Sequence, residues 1–153
     1  MNTEKLVKAA IIAAIYTILT VALAPLSYGP IQVRVAEALT LLPFWFGAPA
    51  AVALWLGCML ANTFGGLGAI DIFGGSLITL VAGLLTSRAP NVYIGALPPV
   101  LLNAFGIAAI LNYVLGFPYW PAVLYVGLGQ AVSVMLLGIP LMTFLVKRIG
   151  KPW

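Results

Sequence analysis

Polar positions along this chain are few and bunched, and long apolar runs separate them. From Ala9 to Ala24 there is no charged residue at all. No run alternates apolar and polar residues as the strands of a membrane barrel would, so helices are predicted. Clear spans cover about 6–24, 72–86, 92–115 and 120–146. The stretch 37–63 is harder to place. As one helix its 27 residues would run about 40 Å, against a hydrocarbon core of about 30 Å. It contains Pro43 and the triplet Gly47-Ala48-Pro49, and a proline disfavours helix at the residue before it. A break there yields two short spans, 37–47 and 49–63. The expectation is a single all-α transmembrane domain over 1–153, a bundle of six helices.

Charge gives this bundle a direction. Lys5 and Lys8 lie before or at the start of the first span, and Lys147, Arg148 and Lys151 follow the last. The positive-inside tendency then places both ends in the cytoplasm and requires an even number of crossings. Arg88 falls in a cytoplasmic loop in this arrangement. The first 24 residues imitate a signal peptide ending in Ala22-Leu23-Ala24. Their apolar run exceeds the usual h-region of about 7–15 residues, and Pro25 would follow the cut, so a retained span is expected. Arg34, Glu37, Asn62, Asp71, Asn112 and Tyr119 all come to the outer end. That is the arrangement of a pocket open to the outside, although loops are polar in any case.

Composition narrows the class. The 153 residues are 63% hydrophobic and 7% charged, where a soluble domain carries about 25% charged residues. A surface this poor in charge belongs in a membrane. The net charge of +4 sits mostly at the two ends, so it concerns orientation and not nucleic acid. Cys58 is the single cysteine and histidine is absent, which excludes a disulfide and removes the commonest general base and metal ligand. The Gly-rich stretch before Asp71 has no lysine, so it is not a P-loop. An enzyme acting on lipid would need clustered acids or a nucleophile with its base; the chain has three acids, well separated.

The candidate site residues are the polar groups the membrane makes costly. Arg34 and Glu37 stand three apart at a helix start, close enough to pair. Glu37 can charge the N-terminus of its helix, or it is an intramembrane carboxylate kept for a ligand. A carboxylate accepts two parallel N–H bonds, which suits an amidine, a guanidinium or the N1–H/2-amino edge of a guanine-like ring. Asp71 either caps the next helix or faces a ligand across a glycine-rich loop, and the amide of Asn62 needs partners. Asn103 must face protein or a cavity, whereas Asn112, nine residues on, points about 180° away. Gln130 and Ser133 share a helix face and serve interhelical bonding or a ligand equally well. Tyr28, Tyr113, Tyr119 and Trp120 suit an interfacial belt or a stack on a planar ligand. Ala9, Ala10, Ala13 and Ala14 form overlapping small-xxx-small pairs on which another helix can approach closely.

The run "YGPIQVRVAEALTLLPFW", followed by "GCMLANTFGGLGAIDIFGGSLITLVAGLLT", resembles the QueT family of substrate-binding S components of energy-coupling factor (ECF) transporters. The resemblance spans nearly the whole chain. It implies a small six-helix protein that captures a queuosine precursor, a 7-deazaguanine such as 7-aminomethyl-7-deazaguanine, at the outer face. It also implies partners: a transmembrane coupling subunit and two ATPases, which use the ATP, so that the chain needs no cofactor of its own. On this resemblance Ala9, Ala10, Ala13 and Ala14 are the docking surface, and the loop from Pro25 to Ala36, with Tyr28 and Arg34, closes over the substrate. Glu37 would meet the ring donors and Asp71 the aminomethyl cation, or the reverse, with Asn62 and Asn103 nearby. An S component for another small nutrient is the alternative on the same scaffold, and a small membrane enzyme the alternative in another class.

Overall fold

A computed structural model describes residues 3–28 and 33–149. The middle of the loop expected to close over the substrate (29–32) and Lys151 lie outside the described residues. Among the described residues there are helices and no strands. Six helical rods follow one another: α1 (Thr3–Ala22), α2 (Val35–Phe46), α3 (Ala48–Asn62), α4 (Ile70–Thr86), α5 (Val92–Leu115) and α6 (Tyr119–Arg148). By length and composition α1, α5 and α6 are long and apolar enough to cross a membrane, and the other three are shorter apolar helices. A one-turn helix, Ala24–Ser27, follows α1.

α2 and α3 part at Gly47, whose φ of 69° is open to glycine and strained for a side chain. Its N–H closes the end of α2 on Pro43 O at 2.8 Å. Pro49 then sits in the first turn of α3, where its missing N–H costs nothing.

α1 turns an apolar face outward and a small or polar face inward. Leu6, Val7, Ile11, Ile15 and Ile18 of α1 are exposed, while Ala13, Tyr16 and Thr20 are buried. Lipid gives no hydrophobic drive between helices, so association depends on close packing of small residues and on buried hydrogen bonds. The contacts have that character. A methyl group built on Gly57 of α3 would lie 2.7 Å from Ala13 O of α1. One on Gly83 of α4 would lie 2.8 Å from Ala51 Cβ of α3, and one on Gly138 of α6 would lie 3.0 Å from Ala38 O of α2.

Three stretches depart from α-helical geometry. α2 begins as a 3-10 helix, Val35–Leu41; α4 begins with a π-turn, Ile70–Gly75; and α6 carries a π segment, Val132–Gly138. Seven residues is long for a 3-10 helix, and such irregular turns recur at functional sites. Each of the three holds a buried polar residue: Glu37, Asp71 and Ser133.

Candidate functional site

α1, the chain after it and α3 converge at one end of the bundle. Tyr28, beyond the end of α1, donates its hydroxyl to Ala61 O near the end of α3 at 2.6 Å. The Arg34 guanidinium lies over the Tyr28 ring, 5.5 Å from its centroid. Arg34 is only 8% exposed, so the positive charge must be met from within. Nη1 donates to Asn62 Oδ1 at 3.2 Å and to Cys58 Sγ at 3.8 Å, and lies 4.0 Å from Glu37 Oε1. Asn62 passes the connection on, donating Nδ2 to the backbone carbonyl of Asp71 at 2.9 Å. Arg34, Glu37, Asn62, Asp71 and Tyr28 thus form one cluster drawn from α2, α3, α4 and the chain after α1.

Neither acid caps its helix. Arg34 and Ala69 occupy the positions before α2 and α4, and neither helix start carries a side-chain cap bond. α4 begins at Ile70, so Asp71 lies inside the first turn and not ahead of it. Glu37 Oε1 instead accepts a hydrogen bond from the Tyr16 hydroxyl of α1. Glu37 Oε2 and Asp71 Oδ2 are buried and have no hydrogen-bond partner among the described residues. A buried acceptor left unpaired costs roughly 1–3 kcal/mol, and more when charged. The cluster holds two carboxylates and one guanidinium, and of the two acids Glu37 comes within 4.0 Å of the guanidinium.

Tyr16 was not among the residues singled out from sequence, yet it is fully buried and touches the central carboxylate. Its signal was a phenol in the middle of the first span, where a hydroxyl must find a partner. Cys58 and Thr79 also belong to the surroundings, Thr79 Oγ1 donating to Cys58 Sγ at 3.4 Å. Asn103 is buried on α5, and its Nδ2 has no hydrogen-bond partner among the described residues. Asn112 lies on the exposed side and donates to Phe117 O at 2.8 Å. Tyr113 and Trp120 are exposed, as residues of an interfacial belt would be. Among the described residues no three His, Cys, Asp or Glu side chains come together as metal ligands would.

The four alanines of α1 divide between two faces. Ala13 is buried against Gly57, Ala9 is half-buried, and Ala10 and Ala14 are exposed.

A family model described as QueT transporter matches residues 6–147. The chain belongs to the QueT transporter family. QueT proteins are named as transporters and not as enzymes, and with its apolar helices this member is a multi-pass protein of the plasma membrane. It is similar to the queuosine precursor transporter QueT of Lactococcus lactis subsp. cremoris (strain MG1363), 43% identical over 82 residues, which are 52% of this chain and 47% of that relative. The matched stretch spans about half the length of the curated relative. No solved structure matches this QueT family member.

Proposed function

We propose that this chain is the substrate-capturing S component of an ECF-type importer. In this reading it crosses the membrane six times with both ends in the cytoplasm. It takes a 7-deazaguanine queuosine precursor, such as 7-aminomethyl-7-deazaguanine, from the outer side into the Arg34 cluster. The observation that carries the reading is the pair of buried acceptors without partners, Glu37 Oε2 and Asp71 Oδ2, beside a guanidinium that neutralises only one carboxylate. A 7-deazaguanine offers adjacent N1–H and 2-amino donors, which a carboxylate accepts side by side. The aminomethyl group adds one cation, which would pair with the second carboxylate, that of Asp71. Arg34 holds the remaining charge in place and can donate to the ring carbonyl.

Import then rests on partners. A transmembrane coupling subunit with two ATPases would supply the energy, and the exposed small pair Ala10 and Ala14 offers a helix room to dock. Substrate binding and energising are thereby separate properties. The test of the binding half is Glu37→Gln, which sets an amide donor against the ring donors. Titration calorimetry on the purified variant should show affinity for 7-aminomethyl-7-deazaguanine lowered at least about tenfold. Wild-type affinity in this variant would remove Glu37 from the ligand.

A further inference from the structure

The π-turn that opens α4 ends on two adjacent glycines, Gly74 and Gly75, whose surroundings differ. A methyl group on Gly74 would come no nearer than 3.9 Å to the side chains of Ile70 and Ile110, an ordinary contact. One on Gly75 would lie 2.3 Å from Asp71 Oδ1, 3.3 Å from Asp71 Cγ and 3.1 Å from Asn62 Nδ2. At Gly57, Gly83 and Gly138 such a methyl group would meet backbone or apolar atoms of a neighbouring helix; at Gly75 it would meet a carboxylate of its own helix. Residues four apart on a helix are neighbours, and a side chain ordinarily leans over the turn before it. A side chain at position 75 would therefore lean on Asp71. Glycine leaves that place empty, and the Asp71 carboxylate occupies it.

The space so filled belongs to the site. Asn62 Nδ2, which borders it, donates to the Asp71 carbonyl, and Asn62 Oδ1 accepts from Arg34. Asp71 is 2% exposed there, and its Oδ2 has no hydrogen-bond partner among the described residues. We propose that Gly75 is a positioning residue: it gives the Asp71 carboxylate its place beside Asn62, and through Asp71 it sets the preference for an amine-bearing ligand over a neutral one. The inference rests on the deazaguanine reading above and extends it to the residue that aims the second acid. The distances decide what a methyl group would displace. At 2.3 Å from Oδ1 it lies far inside the separation at which non-bonded atoms attract, so the carboxylate must leave. At 3.1 Å from Asn62 Nδ2 a small adjustment suffices, so the link from Asn62 to Arg34 survives. Glu37 and Arg34, which would hold the ring, are untouched.

The test compares 7-aminomethyl-7-deazaguanine with 7-methyl-7-deazaguanine, which lacks the amine, by titration calorimetry on wild type, Gly75→Ala and Gly74→Ala. Wild type should prefer the amine on the order of tenfold or more. Gly75→Ala should lose that preference and bind the methyl compound as wild type does, whereas Gly74→Ala should keep both affinities. On an Asp71→Ala background, Gly75→Ala should change neither affinity, because nothing is left to displace. Should Gly75→Ala fail to fold, Asp71→Ala and the double variant carry the test: both should fold and bind the two compounds alike. A Gly75→Ala protein that keeps the wild-type preference, or that loses affinity for both compounds in parallel, overturns the inference; so does a double variant that fails to fold. Equal affinity of wild type for the two compounds overturns it as well and leaves the deazaguanine reading standing. Failure of wild type to bind either compound removes that reading and this inference with it.

Discussion

Tyr16→Phe removes one oxygen from the centre of the site and leaves the packing in place. The side chain stays beside Gly57, where a methyl group would lie 3.1 Å from the Tyr16 Cβ. What disappears is the hydroxyl that donates to Glu37 Oε1. Tyr16 and Glu37 are 0% and 1% exposed, so bulk water cannot replace the lost donor. The carboxylate would retain Arg34, 4.0 Å away, too far for a hydrogen bond. A hydrogen bond to a charged group is worth about 1.5–3 kcal/mol. At about 2–4 °C per kcal/mol for a chain of this size, the melting temperature should fall roughly 3–12 °C. Affinity for the deazaguanine should fall on the order of tenfold, because a carboxylate released by Tyr16 turns toward Arg34 and away from the ligand. Thermal unfolding in detergent and titration calorimetry measure the two effects. The decisive comparison is the double variant with Glu37→Gln. If Tyr16 acts through Glu37, adding Tyr16→Phe to Glu37→Gln costs little more than Glu37→Gln alone. Additive effects, or a Tyr16→Phe protein indistinguishable from wild type, would refute the role assigned to this hydroxyl.

Two glycines at helix contacts should respond differently to alanine. Gly57→Ala drives a methyl group into the backbone of Ala13, at 2.7 Å, and should cost about 1–3 kcal/mol in a melting experiment. Gly106→Ala meets the tip of the Ile78 side chain, at 2.4 Å, which can turn aside, so its melting temperature should stay close to wild type or rise. Ala10→Leu with Ala14→Leu should leave ligand affinity unchanged and abolish co-purification with the coupling subunit and ATPases. Retained co-purification would move the docking face elsewhere.

The cluster was legible in the sequence where chemistry is scarce. Arg34 and Glu37 are conspicuous because the rest of their surroundings is apolar, and an ion pair three residues apart follows from their spacing. Asn62 and Asp71 sit at the two ends of a glycine-rich connection, so folding it back brings them together. That Asn103 and Asn112 face opposite ways follows from their separation, and the structure shows Asn103 buried and Asn112 exposed. Tyr16 was hidden because tyrosines of membrane helices so often belong to the interfacial belt, and nothing local announces a partner 21 residues away. The alanines of α1 form two adjacent rows, and only the position of Gly57 decides that Ala13 turns inward while Ala10 and Ala14 remain outside. The 3-10 and π segments were likewise unreadable, since they arise from how α2, α4 and α6 meet their neighbours and not from residue preference.

The central claim is that the buried acceptors at Glu37 and Asp71 exist to receive a 7-deazaguanine. Titration of the monodisperse wild-type protein with 7-aminomethyl-7-deazaguanine, with guanine and riboflavin as comparisons, tests it most directly. The account predicts saturable one-site binding of the deazaguanine, weaker binding of guanine, which lacks the cation, and none of riboflavin. No heat with the deazaguanine, or equal binding of all three, would contradict it.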